Sequence, residues 1–127
     1  MHRSRLSSII IDCRVEDLRA AAEFWSKAIG RRIANVDADG EDRYAEIETA
    51  EDEPIVVIQK VQHESRVHLD IETDDIEAEV KRLEALGAKR VEFIKRWWVM
   101  EAPTGHRFCV LGKQRKEFGP HLNEWPD

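Results

Sequence analysis

Two polar side chains in the second half of the chain share one face of a predicted strand. His68 and Asp70 alternate with the apolar Val67, Leu69 and Ile71, and this alternation is typical of a β-strand with one polar face. An imidazole on such a face can ligate a metal ion or contact a ligand. The alternative for His68 is a hydrogen-bonded histidine at an interface, and the sequence leaves both open.

Cys109 and Asp12 are further candidates for chemistry. Cys109 could act as a thiolate ligand or as a nucleophile paired with His68, whereas its apolar neighbours favour a small buried side chain. Asp12 repeats the position of Asp70 in an internal repeat described below. Two carboxylates held close together can perform acid–base chemistry, because their repulsion raises the pKa of one of them. The alternative for both is a salt bridge, with Arg14 or with nearby lysines.

Trp97 and Trp98 are adjacent in one predicted strand and therefore point to opposite faces. One of them must lie on the binding face or be exposed, and the sequence does not say which. A tryptophan on that face would stack on a flat aromatic ligand, while packing against a second subunit is the alternative. We expect the histidines at chain ends and turns to be solvated, namely His2, His63, His106 and His121.

Composition excludes several classes of protein. The net charge of -6 and the pI near 5.4 argue against nucleic-acid binding, which needs a positive surface. No segment is apolar over the length of a membrane span, and the apolar stretch 8–13 is too short for a signal peptide. The only two cysteines, Cys13 and Cys109, lie inside apolar runs, which indicates free thiols in a reducing compartment. We therefore expect a cytoplasmic protein.

An internal repeat predicts the architecture. At a constant offset Asp12 aligns with Asp70 and Asp17 with Asp75, and Gly30 meets Gly87 after one residue of slippage. Both halves show the order β-α-β-β-β. The predicted strands are 8–15, 32–36, 43–49, 54–61, 67–73, 88–94, 97–102 and 107–111, with turns at 37–42 and 103–105. We expect one domain over 1–127, with modules at about 6–62 and 63–112 and a tail at 113–127.

Two amphipathic helices are predicted between the first and second strands of the modules. Gly30 and Gly87 are placed to end them, and Asp74 with Glu77 is placed to begin the second. The side chains expected to be buried against the sheets are Leu18, Ala22, Trp25, Ile29, Ile76, Val80 and Leu83.

These segments together resemble the glyoxalase, bleomycin-resistance and extradiol-dioxygenase proteins, the vicinal oxygen chelate superfamily. The resemblance lies in segment 11–18 leading to Gly30, in 67–70 leading to Gly87, and in the turn 103–105 before Phe108. It covers about residues 8–111. It implies an α+β fold in which two tandem βαβββ modules form a curled mixed sheet with a cleft.

The resemblance also implies a divalent metal held by His or Gln on the first strand and Glu on the last strand of each module. In this chain His68 matches the first-strand position of module two, whereas Ile10 occupies that position in module one. Cys109 aligns with the glutamate of module two, and Gln59 is the nearest donor in module one. We therefore expect no nickel, iron or manganese and no metal cofactor. If a divalent metal is present, its ligands are His68, Cys109 and Gln59, and zinc is the ion to consider.

The sequence favours a protein that binds a small organic molecule, an aromatic one if a tryptophan lines the cleft. His68, Asp70, Cys109, Asp12 and Gln59, with Trp97 or Trp98, are expected to converge there. One alternative is a metal-dependent lyase, isomerase or dioxygenase, and another is a dimeric interaction module with a closed cleft. The metal-dependent alternative would use a non-standard ligand set drawn from His68, Gln59, Cys109 and Asp12 or Asp70. The resemblance implies a homodimer.

Overall fold

The computed structural model describes residues 1–36 and 43–127, which form two compact units. One unit comprises residues 8–67, and the other comprises 1–7 together with 68–127. The predicted turn at 37–42 lies outside the described residues. The elements are β1 (His2–Cys13), α1 (Leu18–Ile29), β2 (Ile33–Val36), β3 (Tyr44–Ile47), β4 (Ile55–Lys60), β5 (Arg66–Thr73), α2 (Ile76–Ala85), β6 (Lys89–Ile94), β7 (Trp97–Glu101), β8 (Arg107–Gly112) and β9 (Asn123–Trp125).

Both units have the same topology. In the unit 8–67 the strand order is β2-β3-β4-β1, with β1 parallel to β4 and the other pairs antiparallel. In the other unit the order is β6-β7-β8-β5, with β5 parallel to β8. Each is a βαβββ module with a mixed sheet and one helix, as the repeat predicts. None of the helices within residues 1–36 and 43–127 has the length and hydropathy of a membrane span.

The two helices begin at repeat-related aspartates. Asp17 accepts a hydrogen bond from the backbone N–H of Ala20 at 3.2 Å, and Asp75 accepts one from Ala78 at 3.0 Å. The prediction that Asp74 caps the second helix is wrong, because its carboxylate binds the backbone and guanidinium of Arg3 instead. Both helices are followed by glycine in the left-handed region, as predicted from the sequence.

The helix side chains predicted to face the sheets are buried or half-buried, except at the end of α1. Leu18, Ala22, Val80 and Leu83 are buried, and Trp25 and Ile76 are half-buried against the same two cores. The prediction that Ile29 is buried is wrong, since 45% of it is exposed. Ile29 is the last residue of α1, and helical periodicity does not report how far the covering sheet extends.

The N-terminal strand begins earlier than predicted. β1 starts at His2, and its first residues pair with β9 of the tail, so that His2 lies opposite Trp125. The Trp125 indole donates a hydrogen bond to Ser4 at 2.9 Å, and its ring lies 3.8 Å from the Arg82 guanidinium. The apolar end of the tail therefore packs on its own chain.

The prediction that His2 is solvated is also wrong. Only 3% of it is exposed, and its Nε2 lies 2.8 Å from Glu79, while its Nδ1 hydrogen-bonds Asp127. Burial lowers the pKa of His2, but the hydrogen bonds to these two carboxylates outweigh burial and leave the pKa raised. Burial likewise opposes ionisation of Glu79, yet hydrogen bonds from Arg82, His2 and Ser4 hold its pKa below the usual value.

This network makes a pH-dependent contribution to stability. Because the native pKa of His2 is raised, its stabilising effect is complete below the unfolded pKa of about 6.5 and is lost as pH rises through the native pKa. We expect His2→Gln to cost more unfolding free energy at pH 5.5 than at pH 9, measured by urea denaturation. The exposed His106→Gln is the control, and an equal cost for His2→Gln at both pH values would contradict the assignment.

Candidate functional site

The register of β5 and β8 places Asp70 beside Cys109. These residues are paired in the parallel ladder, next to the pair Ile71 and Val110. Ile71 and Val110 pack in the core under α2, so Asp70 and Cys109 lie on the opposite face of the sheet. His68 precedes Asp70 by two residues and shares that face, as the alternation predicts.

The three side chains form one cluster. His68, Asp70 and Cys109 each offer a donor atom, and these atoms lie within 4.8 Å of one another. His68 Nε2 is 3.5 Å from Asp70 Oδ1, and the two side chains are 16% and 14% exposed. Asp70 Oδ1 is itself buried and accepts no hydrogen bond. The cluster therefore combines an unsatisfied acceptor with partial access from solvent.

The register of β7 decides which tryptophan shares this face. Trp98 pairs with Val110 and packs into the core under α2, where its ring meets Phe93 at 5.2 Å. Trp97 therefore projects to the face of Cys109 and is half-buried there. Val99, which the sequence analysis did not single out, pairs directly with Cys109. This face thus has an apolar side next to the polar cluster.

A buried ion pair closes one end of the polar face. Glu72 continues the row of His68 and Asp70 but is fully buried, with its Oε2 lying 3.4 Å from Nε of the buried Arg5. The tail passes over the pair, since the backbone N–H of Gln114 donates to Glu72 at 3.2 Å and Arg5 donates to the Pro120 carbonyl at 2.9 Å. The face is accessible at His68 and Asp70 and closed at Glu72.

At the other end of the row lies Arg107, two residues before Cys109 on β8. Its Nε is 3.3 Å from Glu101, and the Arg107 side chain is 42% exposed. Neither this pair nor the pair of Arg5 with Glu72 was predicted from the sequence. Arg107 and Glu101 are close in the chain, on either side of the predicted turn at 103–105. For Glu72 the only local signal was the continued alternation, because its partner Arg5 comes from a distant part of the chain.

The unit 8–67 carries a different set at the equivalent positions. Asp12 pairs with Gln59 in the ladder of β1 and β4, as Asp70 does with Cys109. Asp12 is buried and forms ion pairs with Arg66 Nε at 3.9 Å and His63 Nε2 at 4.0 Å. This matches the salt-bridge alternative, with Arg66 in place of Arg14.

Gln59 is also engaged within its own unit, since its amide donates to the Tyr44 hydroxyl at 3.4 Å. The remaining equivalent position is the buried Ile10, which has no donor atom. Glu46 on β3, which the sequence analysis did not consider, is half-buried on the same face as Tyr44. The convergence of Asp12 and Gln59 with His68, Asp70 and Cys109 stays a prediction.

The donor types at the cluster fit one kind of metal ion. Imidazole, carboxylate and thiolate are the ligands of zinc, and catalytic zinc sites use three protein ligands. The nitrogen and oxygen sets that hold nickel, iron or manganese are incomplete here, because Cys109 stands where the resemblance places glutamate and Ile10 offers no donor. Of the two aspartates that the sequence offers as alternative ligands, Asp70 is the one that completes the cluster.

A family model described as a glyoxalase-like domain matches residues 8–111. Methylmalonyl-CoA epimerase from Mycobacterium tuberculosis is similar in structure, with TM-score 0.62, 16% identity and coverage of 87% of this chain and 89% of that one. No curated protein sequence matches the chain.

Two further solved structures share the fold. A glyoxalase/bleomycin resistance protein/dioxygenase superfamily member from Vibrio splendidus 12B01 aligns with TM-score 0.57 and 16% identity over 87% of this chain and 99% of that one. The hypothetical protein BH1468 from Bacillus halodurans C-125 aligns with TM-score 0.63 and 11% identity over 91% and 99%. At these identities the likeness shows the fold alone, and it confirms the α+β fold class predicted from the sequence.

Proposed function

We propose that this chain, which belongs to the glyoxalase-like domain family, binds a small organic molecule on the sheet face that carries His68, Asp70 and Cys109. The observation that carries the proposal is the buried Asp70 Oδ1, which accepts no hydrogen bond. A buried acceptor left unsatisfied costs about 1–3 kcal/mol, so native proteins rarely keep one without a reason. A ligand that donates a hydrogen bond to this oxygen would satisfy it, and so would a cation bound between the oxygen and the ligand.

The surroundings of the cluster favour a ligand with a flat apolar part. Trp97 and Val99 lie on the same face, and an indole offers a stacking surface for an aromatic ring. Arg107, at the far end of the row, offers a cation to an acidic group. We therefore favour an aromatic or thioester-like molecule that carries a carboxylate. One similar solved structure is a methylmalonyl-CoA epimerase in complex with methylmalonyl-CoA, with TM-score 0.59 and 16% identity over 86% of this chain and 94% of that one.

A thermal-shift screen tests the proposal. The probes are aromatic carboxylates, glutathione conjugates and acyl thioesters, each with added zinc and with a chelator. A probe present at 100 times its dissociation constant stabilises the protein by about 2.7 kcal/mol, which raises the melting temperature by several degrees. We expect such a shift for at least one probe class and its loss in His68→Ala.

His106→Ala is the matched control, since His106 is an exposed histidine in the same unit. It should keep the shift. A screen without any shift, or a shift that persists in His68→Ala, would contradict binding at this face.

A metal-dependent lyase, isomerase or dioxygenase is the second candidate, and the cluster of His68, Asp70 and Cys109 favours it. A divalent ion bound there would polarise an oxygen of the substrate. Turnover that depends on added metal would distinguish this candidate from a binding protein.

We retain the cytoplasmic homodimer as part of the proposal. The tail does not contribute to this proposal, because Trp125 packs on its own chain. The support is the exposure of apolar side chains on β5 and β6, where Val67, Leu69 and Phe93 are 55%, 46% and 52% exposed.

A further inference from the structure

We propose that residues 113–127 act as a strap over the closed end of the polar face, latched to α2 by protonated His2 and released when His2 loses its proton. The strap runs from the end of β8 through β9, within the unit of residues 1–7 and 68–127. The latch depends only on contacts inside this unit. Its consequence for a ligand rests on the proposed function.

The strap covers Arg5 and Glu72 but has little buried surface of its own. Each of its residues is exposed or half-buried, whereas Arg5 and Glu72 beneath it are 5% and 0% exposed. The backbone N–H of Gln114 donates to Glu72 at 3.2 Å, and Arg5 donates to the Pro120 carbonyl at 2.9 Å. A segment with little buried apolar surface opens at a lower free energy than the core, so the strap depends on its anchored end.

β9 fixes that end of the strap to the start of β1. His2 lies opposite Trp125 in the ladder, and Asp127, two residues further, hydrogen-bonds Nδ1 of His2. The other ring nitrogen, Nε2, lies 2.8 Å from Oε1 of Glu79 on α2. His2 therefore joins the end of the strap to the helix.

The two contacts of His2 require its protonated form. Each ring nitrogen faces the carboxylate of Glu79 or Asp127, and an ionised carboxylate only accepts hydrogen bonds. An imidazolium has two N–H groups and donates to both. A neutral imidazole has one, so that one carboxylate would face a nitrogen lone pair.

Asp127 is the partner that leaves when His2 loses its proton. Glu79 is fully buried and also accepts hydrogen bonds from Nε and Nη2 of Arg82, each at 2.8 Å, which fix its position. Asp127 is 40% exposed, so water can replace His2 as its donor. Loss of the proton therefore frees the strap and keeps His2 on α2.

Other charged groups face His2 from α2, from the strap and from the start of β1. Those that line one pocket with His2 are Asp75, Glu77, Lys81, Arg82 and Asp127. The ammonium of Met1 lies 2.9 Å from Asp127 Oδ2, and this hydrogen bond raises its pKa, with Asp74 and Asp75 adding to the effect. Met1 therefore also titrates above neutral pH, and a test of the latch must separate it from His2.

The direction of the switch follows from the balance at His2. Burial lowers the pKa of His2, but the hydrogen bonds to Glu79 and Asp127 outweigh burial and leave the pKa raised. The latch is therefore complete below the usual histidine pKa of about 6.5 and is lost as pH rises through the native value.

Release of the strap changes the polar face. Glu72 continues the row of His68 and Asp70, and the strap closes the face at that end. Once the strap opens, the accessible row gains the carboxylate of Glu72 and the guanidinium of Arg5. A ligand that reaches this end should bind more tightly at pH 9 than at pH 6.

Hydrogen exchange of the full chain without ligand measures the opening. Protection factors, which correct for the intrinsic dependence of exchange on pH, are followed by mass spectrometry in residues 119–127 and in β8. The loss of one hydrogen bond between charged groups changes an equilibrium about 10–100-fold, so protection of 119–127 should fall by about that factor from pH 6 to pH 9. Low urea should leave this opening unchanged, because local opening exposes little surface, whereas β8 should exchange through urea-dependent unfolding.

Three variants identify the latch. His2→Gln should give low protection of 119–127 at both pH values, since glutamine does not titrate. Asp127→Ala should lower the protection at pH 6 to about the wild-type level at pH 9, and it keeps the test open if His2→Gln does not fold. Glu124→Ala removes an exposed carboxylate of β9 itself and is the matched control, which should behave as the wild type.

Equal protection of 119–127 at pH 6 and pH 9 would overturn the inference. So would a pH response that persists in His2→Gln, which would assign it to Met1, or equal losses in Glu124→Ala and Asp127→Ala. An opening as sensitive to urea as that of β8 would be global unfolding and would also overturn it. The proposed function fails separately, since exchange without ligand reports the latch alone and the thermal-shift screen reports ligand binding.

Discussion

Replacing Arg5 by methionine should lower the free energy of unfolding by about 3–5 kcal/mol, the usual cost of leaving one member of a buried ion pair without its partner. Glu72 is fully buried, and Arg5 Nε, at 3.4 Å from its Oε2, is the cation beside it. Methionine fills similar volume but leaves the carboxylate uncompensated. The loss of the hydrogen bond from Arg5 to the Pro120 carbonyl adds to the cost. Denaturant unfolding measures the change.

Two further variants define the cause. Arg5→Met combined with Glu72→Leu should recover most of the lost stability, because no buried charge remains. Arg3→Met removes an ion pair with Asp74 whose side chains are 47% and 33% exposed, and it should cost about 1 kcal/mol or less. A nearly neutral Arg5→Met, or a double variant less stable than either single one, would refute the buried pair as the source of stability.

Leu18→Ala should cost about 2–5 kcal/mol, the range for emptying a fully buried leucine site. Leu18 is 2% exposed and packs with Ala22 and the buried Ile47 and Ile58. Ile29 lies on the same predicted face of α1, yet it is 45% exposed, and Ile29→Ala should cost less than about 1 kcal/mol.

Urea or thermal denaturation of the two variants gives a direct comparison on one helix. Both replacements remove a large aliphatic side chain and leave alanine, so helix propensity favours neither strongly. If Leu18→Ala and Ile29→Ala lowered the free energy of unfolding equally, both side chains would lie on the buried face of α1, as the hydrophobic period predicts. That result would contradict the observed exposure of Ile29.

Local patterns predicted most of the architecture. Helical periodicity and glycine placement located α1 and α2, and the repeat of Asp12 with Asp70 predicted two modules of the same topology. Periodicity and glycine placement depend on neighbours within a few residues, and the repeat compares two such local patterns, so sequence reasoning can evaluate both.

The N-terminal strand escaped prediction for the opposite reason. Residues 2–7 hold His2, Ser4 and Arg5, polar side chains that alternation would assign to the surface. They are buried beside Glu79 and Glu72, which come from the middle of the chain and contact His2 and Arg5. A partner more than sixty residues away leaves no trace in the local pattern.

The site was predicted in part. Alternation on β5 placed His68 and Asp70 on one face, but the choice between Trp97 and Trp98 needed the register of β7 with β8. The choice of Asp70 over Asp12 as the candidate ligand could not be predicted, because it depends on the ladder pairing with Cys109 and on an oxygen that accepts no hydrogen bond.

Alkylation of the two cysteines tests most directly whether ligands bind at the cluster. Cys109 is half-buried beside His68, whereas Cys13 is 7% exposed and burial raises the pKa of its thiol, so Cys13 is an internal control for folding. The metal-free protein is treated with iodoacetamide, with and without the probe that gives the largest thermal shift in the presence of the chelator, and the rate at each cysteine is read by mass spectrometry. The account requires that Cys109 reacts in the free protein and is protected at saturation, while Cys13 stays unmodified throughout. Modification of Cys109 at an unchanged rate with the probe bound would place the binding site elsewhere and contradict the account.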